Sequence, residues 1–210
     1  MSAPRRCCLA ATLDLQLSGN TARSLPRLLT SIPGTVRRLH LGSAGPPFRV
    51  RSLVALTAVL RRLAGSLRSW QWVAAVDTQR RVPLMSLAVA IAALRELRHV
   101  DITLLGGAAA AYVMRGLSHA PRLGRMRLVL GCSVALDVGV LPPFNPRLHH
   151  LELVLLGGCL AAEWLARLPP GLRTLRVTVL GPLTRDEQAA LARRLDDAGV
   201  AVVELSVATM

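Results

Sequence analysis

Short segments in which apolar and polar residues alternate recur along the whole chain, 24–31 residues apart. Each follows the pattern Leu-x-x-Leu-x-Leu or a close variant, so that one central apolar position aligns in every copy. Alternation with a period of two is typical of a β-strand that buries one face. Eight strands are therefore predicted, within 11–17, 36–42, 67–73, 97–103, 123–129, 148–154, 172–178 and 200–207. Their central residues are Leu13, Leu39, Trp70, Val100, Met126, Leu151, Leu175 and Val203.

Several of the predicted strands are separated by stretches whose apolar residues have helical spacing. The clearest apolar stripe, at intervals of three and four residues, comprises Leu53, Leu56, Val59, Leu60 and Leu63. It predicts an amphipathic helix, and Gly65 just beyond it is the expected C-terminal stop. A capping box of Thr184 and Glu187 predicts a second helix over 188–197. Alanine-rich segments at 108–116 and 160–168 predict two more, whereas three prolines in 132–146 predict an irregular connection.

A strand, a helical return and another strand, repeated, predict parallel strands joined by crossovers. One such unit buries too little apolar surface alone, so the units are expected to stack into a solenoid with a continuous core. The alternative is a doubly wound sheet with helices on both faces. Strands of that fold read as unbroken apolar runs. The polar residues at alternate positions here favour one sheet face that meets solvent.

Three segments resemble the leucine-rich-repeat family, in particular its ribonuclease-inhibitor-like class with helix-bearing repeats: PRLGRMRLVL (121–130), PRLHHLELVL (146–155) and PGLRTLRVTV (170–179). The resemblance extends over about 10–208. It implies one α/β domain spanning 1–210, a horseshoe of about eight repeats with parallel β-strands on the concave face and helices on the convex face. It further implies a protein-binding module without cofactor or catalysis. The chain differs from the family in carrying glycine where Asn or Cys usually follows the strand, and polar terminal caps are not visible.

Composition adds a strong positive charge. The chain has 26 basic residues, all of them Arg, and 12 acids, which gives a formal net charge of +14. Such a charge attracts nucleic acid, anionic lipid or acidic protein surfaces. A hydrophobic fraction of 52% excludes a disordered chain. The longest uncharged stretches, 82–94 and 102–114, hold 13 residues each, too few for the roughly 20 that a membrane-spanning helix needs.

The spacing of chemically active side chains predicts no enzyme. The four cysteines lack zinc-binding spacing, and no nucleophile–base pair or phosphate-binding loop is visible. No catalytic residue, metal or cofactor is therefore predicted. The expected location is intracellular, cytoplasmic or nuclear; the alternative is that 1–38, which is rich in Arg and Ser, is an organellar transit segment.

Residues that flank the buried positions of each strand are predicted to face the concave surface. Four Arg and four acids fall there and cancel, which indicates a mixed-charge surface for protein recognition. The leading hypothesis is a scaffold or recognition module that binds another protein or a multi-subunit assembly. Its predicted partner-binding residues are Arg38, His40, Gln71, His99, Asp101, Arg125, Arg127, His150, Glu152 and Arg176.

The alternative function is a basic accessory subunit of a ribonucleoprotein or other large assembly. Its Arg-rich exterior would contact nucleic-acid phosphates without reading sequence, since one Tyr, two Phe and three Trp offer little base stacking. The residues predicted for that role are Arg61, Arg62, Arg80, Arg81, Arg115, Arg193 and Arg194.

Three smaller features carry expectations of their own. Trp70 and Trp72 fall on buried positions and are expected to fill the core. His149 and His150 are adjacent on a strand, so they are expected on opposite faces, which disfavours a shared metal ion. One register just before the strand is occupied by Arg37, Arg68, Arg98 and Arg173. Either the aliphatic part of each side chain packs along the surface with its guanidinium group in water, or the four arginines form a stripe that binds an acidic partner.

Overall fold

The computed structural model describes 12–17, 25–43, 50–74, 81–104, 107–131, 143–156, 168–181, 200 and 202–208, with single positions between 185 and 196. Strands and helices alternate through these ranges. The elements are β1 (Thr12–Leu17), α1 (Leu25–Thr30), β2 (Arg38–Ser43), α2 (Val50–Arg62), β3 (Ser69–Ala74), α3 (Arg81–Ala92), β4 (His99–Leu104), α4 (Gly107–Ser118), β5 (Arg125–Leu130), β6 (His150–Leu156), β7 (Thr174–Leu180) and β8 (Val202–Ala208).

All of these strands belong to one parallel sheet, in which they follow one another in chain order from β1 to β8. The central apolar positions predicted from sequence are direct neighbours: Leu39 pairs with Trp70, and Val100 pairs with Met126. Successive helices pack side by side, α1 on α2, α2 on α3 and α3 on α4. The predicted alternation of strands and helices around a parallel sheet is confirmed, and the arrangement is compatible with a solenoid.

The core lies between the sheet and the helices. One continuous cluster of buried apolar side chains runs from Leu25 to Val179 and takes in the inward face of the strands and the inner stripe of the helices. Trp70 and Trp72 are fully buried in it, with their rings stacked 5.4 Å apart at 13°. Their predicted role as core residues is confirmed. In the described part of the chain, no helix has the length and apolarity needed to cross a membrane.

The predicted apolar stripe of α2 is buried as expected. Gly65, however, does not stop the helix by adopting a left-handed conformation; among the described glycines only Gly181 has a positive φ, 148°. The helix instead tightens after Arg62, where the amides of Ser66 and Leu67 both donate to the Leu63 carbonyl at 3.0 Å. The helix ends shortly before Gly65, as predicted, and backbone amides of the turn satisfy the Leu63 carbonyl.

Helix α4 confirms the prediction for 108–116, but α1 and α3 were not predicted. Helix α3 has no apolar stripe because it is apolar on both sides. Its inner side chains, such as Leu84 and Leu87, are fully buried, whereas Val82, Met85 and Val89 on its outer side are 75%, 46% and 63% exposed. The predicted helix at 160–168 lies outside the described residues but for its last residue. In the predicted helix 188–197 the described positions are helical: Ala189, Ala192, Arg193 and Asp196.

One buried amide links two consecutive repeats. Asn145, 4% exposed, donates through Nδ2 to the carbonyls of Leu117 at 3.0 Å and Ala120 at 2.6 Å, at the end of α4. Its Oδ1 accepts the amide of Arg147 at 2.9 Å. Helix ends leave carbonyls without intrahelical donors. From the following turn, Asn145 gives each of these carbonyls a second donor, beside the backbone amides of Ala120 and Leu123.

Replacing Asn145 with alanine is expected to lower the free energy of unfolding by about 1–3 kcal/mol, because two buried hydrogen bonds between consecutive repeats are lost. Urea unfolding of both chains measures the difference. The matched control is Thr35→Ala, at an exposed position in the turn before β2. It should change stability by less than about 0.5 kcal/mol. Equal losses in the two variants would contradict the role given to Asn145.

Candidate interaction surface on the open face of the sheet

The sheet face opposite the helices, called the open face here, carries the polar residue of each alternating pair. The middle of this face is a row of cross-strand neighbours, called the charge row. Because the strands are in register, its members sit side by side: Asp14, His40, Gln71, Asp101, Arg127, Glu152 and Arg176. Every member of the charge row except Asp14 was predicted from sequence to bind a partner. The structure brings these six residues together on adjacent strands.

Opposite charges in this row pair with each other. Arg127 donates through Nε to Glu152 at 3.0 Å and through Nη1 to Asp101 at 3.2 Å. Burial alone would lower the pKa of Arg127, but hydrogen bonds and charges from both carboxylates outweigh it and raise the pKa. His40 Nδ1 lies 3.2 Å from Asp14 Oδ1. Part of the mixed charge predicted for this face is therefore neutralised within the chain.

The open face is not equally accessible along the strands. Val129 and Val154, predicted to reach the concave surface, are only 8% and 6% exposed. They are cross-strand neighbours on the same face as Arg127 and Glu152, two positions further along the strands. Arg125, at the other end of the same strand, is exposed. On these two strands the accessible part of the face is the N-terminal half.

Basic residues occupy two adjacent positions in that half: the residue just before each strand and the first residue of the strand. We call this set the basic band. It contains the predicted residues Arg38, His99, Arg125 and His150, and it takes in the pre-strand register noted in the sequence. Its members are Arg37, Arg38, Arg68, Arg98, His99, Arg125, His149, His150 and Arg173.

A ladder of backbone hydrogen bonds sets the spacing of the band. The carbonyl of Arg37 accepts the amides of Arg68 at 2.7 Å and Ser69 at 3.1 Å, and the carbonyl of Arg68 accepts those of Arg98 and His99 at 2.9 and 3.1 Å. The carbonyls of Arg98, Gly124 and His149 each accept two amide hydrogen bonds from the next repeat in the same way. Each repeat is thereby held one strand spacing, about 4.8 Å, from the next. Like charges are stacked by the backbone.

Acidic partners are absent from the band within the described ranges: none of its six arginines makes an ion pair. The positive charge of the band affects the pKa values of two of its histidines. Burial lowers the pKa of His99, and Arg125, Arg98 and Arg38 lower it further. Burial likewise lowers the pKa of His150, with added repulsion from Arg125, His149 and Arg173. The band is therefore a concentrated positive surface beside a row whose charges are partly paired.

His149 and His150 do not lie on opposite faces as expected. Their ring centroids are 5.0 Å apart in an edge-to-face arrangement. The alternation does not extend to His149 because this residue precedes β6. Its ring packs against Gly124 of the preceding repeat, and a Cβ added to Gly124 would lie 2.3 Å from His149 Cε1. In the described part of the chain no group of three or more His, Cys, Asp or Glu could hold a metal ion.

The free energy of unfolding is expected to fall as the pH is lowered through 6.5, the ordinary histidine pKa of an unfolded chain. The unfolded chain then binds protons that the lowered pKa values of His99 and His150 deny to the folded chain. Urea unfolding at pH 7.5 and 5.5 measures this loss. The His99→Gln/His150→Gln variant should lose less stability over the same interval. An unchanged loss in that variant would show that other groups cause it.

The residues predicted for phosphate contact do not form one surface. Arg62 is engaged in the fold, donating to the carbonyls of Thr30, Leu29 and Ile32 at 2.9, 3.2 and 3.1 Å. Arg193 donates to Ala189 at 3.3 Å. Exposed guanidinium groups lie on three different helices, at Arg61, Arg81 and Arg115, whereas Arg80 and Arg194 lie outside the described residues.

Several contacting residues were not predicted. Asn145 and the clamp made by Arg62 follow from contacts between repeats, and so does the ion pair of Arg122 with Glu96 at 2.6 Å. The pairing of Arg127 could have been found from the opposite signs at its aligned neighbours in the repeats. Comparison of the chain with protein-family models, with curated proteins and with solved structures finds no match.

Proposed function

We propose that this chain is a non-catalytic, intracellular protein-binding scaffold, a leucine-rich-repeat-like horseshoe of about eight repeats. The open face would be its concave binding surface. The observation that carries the proposal is the alignment of polar and charged side chains on adjacent strands from β1 to β7. A continuous exposed surface of this kind is what solenoid repeats use to bind partners. The nucleic-acid alternative is weaker, because the arginines assigned to it are scattered and Arg62 is engaged in the fold.

The test is a charge swap that preserves internal pairing. Asp101→Arg/Arg127→Glu/Glu152→Arg keeps the local alternation of sign while inverting what a partner meets. We expect the variant to keep its thermal unfolding temperature within a few degrees and to lose its co-purifying proteins. Quantitative mass spectrometry after mild cross-linking, with nuclease treatment and in high salt, measures that loss.

The matched control is Arg61→Glu/Arg115→Glu on α2 and α4, which should leave the recovered proteins unchanged. If the swap and the control retain the same proteins, the open face is not the binding surface. If nuclease releases every partner from the natural chain, the nucleic-acid alternative replaces the proposal.

A further inference from the structure

We propose that the basic band binds an acidic polypeptide segment that crosses the strands from β2 to β7. The inference rests on the proposed function, because it specifies the chemistry of a partner for the same face. It begins from the ladder of backbone bonds, which stacks Arg37, Arg68 and Arg98 on consecutive strands. Stacked like charges repel one another unless an anion lies between or over them. The chain supplies no such anion from its described residues.

The charge row has acidic residues beside its arginine, whereas the basic band does not. One position further along the strands, Arg127 has a carboxylate on each side. Arg125 lies on the same face of the same strand, yet its cross-strand neighbours are His99 and His150. The band therefore presents positive charge that no acid of the described residues neutralises.

Two observations favour a polypeptide over a nucleic acid. The described open face exposes no Trp, Tyr or Phe ring for base stacking, since Trp70 and Trp72 are fully buried beneath it. The carboxylates of Asp101 and Glu152 border the band and are 30% and 33% exposed. A phosphate backbone offers them only acceptors, whereas a peptide offers amide donors. An acidic segment can thus contact both the band and the charge row.

The length of the band sets the length of the segment. Five strand spacings separate β2 from β7, which is about 24 Å at roughly 4.8 Å each. An extended peptide covers that distance with about seven residues at roughly 3.3 Å each. An octaglutamate peptide therefore spans the whole band and is a suitable probe.

The first test measures the binding of fluorescein-labelled octaglutamate to the full chain by fluorescence anisotropy, at 50 and 200 mM salt. Binding should weaken at least tenfold in Arg98→Glu/Arg125→Glu, which reverses two adjacent charges at the centre of the band. The milder pair Arg98→Gln/Arg125→Gln should weaken it in the same direction and guards against misfolding of the first variant. Octaglutamine, with the same length and no charge, should not bind.

The matched control is Arg61→Glu/Arg115→Glu, which changes the net charge by the same amount on the helices. It should alter octaglutamate affinity by less than twofold. Equal weakening in both pairs would show attraction to net charge alone and would overturn the band as a site. Tighter binding of octauridylate than of octaglutamate, with the same dependence on Arg98 and Arg125, would overturn the choice of a polypeptide.

The second test uses pH. An anionic segment over the band favours the protonated forms of His99 and His150, so its affinity should rise severalfold between pH 7.5 and 5.5, where glutamates remain ionised. His99→Gln/His149→Gln/His150→Gln, which replaces every histidine of the basic band, should remove that rise. A rise that persists in this variant would place the anion elsewhere. The charged groups around the two histidines are Arg38, Arg98, Arg125, His149 and Arg173.

The two proposals fail separately. If octaglutamate does not bind but the charge swap at Asp101, Arg127 and Glu152 still releases co-purifying proteins, the open face binds proteins and the acidic specificity is wrong. If octaglutamate binds through the band but neither set of variants changes the recovered proteins, the proposed function is wrong.

Discussion

Replacing Trp70 with alanine is expected to lower the free energy of unfolding by about 3–5 kcal/mol, the range for removing a large buried aromatic side chain. Trp70 is fully buried and stacks on Trp72 in the same strand, so its loss leaves a cavity beneath the middle of the sheet. A domain of this kind is stable by only about 5–15 kcal/mol, and the variant should unfold at clearly lower urea concentration. Urea denaturation followed by far-UV circular dichroism measures the change.

Trp70→Phe is the matched control for this cavity. The Nε1–H of Trp70 has no hydrogen-bond acceptor among the described residues. Phenylalanine keeps a ring in the stack and removes that buried donor, whose desolvation costs about 1–3 kcal/mol. Part of the lost packing is thereby offset, and the net loss should stay below about 1.5 kcal/mol. Similar losses for Ala and Phe would show that the ring does not fill the core.

The second large effect is expected at Gly116 in α4. A Cβ added there would lie 2.7 Å from the carbonyl oxygen of Ala88 and 2.7 Å from Cβ of Ile91, both on α3. Gly116→Val should therefore cost about 3 kcal/mol, and Gly116→Ala somewhat less, because the two helices must move apart. The expected loss is opposite in sign to the usual effect of Gly→Ala within a helix, which stabilises it by about 1 kcal/mol. Thermal unfolding and urea titration check it.

Gly65 gives the opposite expectation. It is exposed, its φ is not positive, and a Cβ added to it would meet nothing within 4 Å. Gly65→Ala should leave stability unchanged or raise it by about 0.4–1 kcal/mol, because it restricts only the unfolded chain. If both alanine variants shift stability in the same direction, the close approach of α3 and α4 is not what requires glycine at 116.

The strands and their buried positions follow from sequence because the signal is local and repeated. A period of two fixes which side chains share a face, and its recurrence in phase fixes which positions become neighbours across the sheet. Leu39, Trp70 and Val100 were predicted as aligned rungs, and they pair in that order. The mixed charge on the alternate positions was visible for the same reason.

The helix α3 was beyond this reasoning. Its sequence is apolar on both sides, and no period distinguishes the side that packs on α2 and α4 from the side that carries Val82 and Val89. Burial of the inner side depends on neighbouring helices, which are distant in sequence. The same holds for the Arg62 clamp, whose three acceptors lie at least 30 residues away.

The sequence by itself determined the strands, their parallel order in one sheet and the rungs of the core, because each depends on side-chain alternation within a few residues and on its recurrence. Only the tertiary structure decided which charges are neutralised. Arg127 and Arg125 are two residues apart and equally basic in the sequence, yet one meets two carboxylates and the other meets two histidines. Charges interact across strands through space, so their balance is set by the neighbours that the stacked backbone brings together.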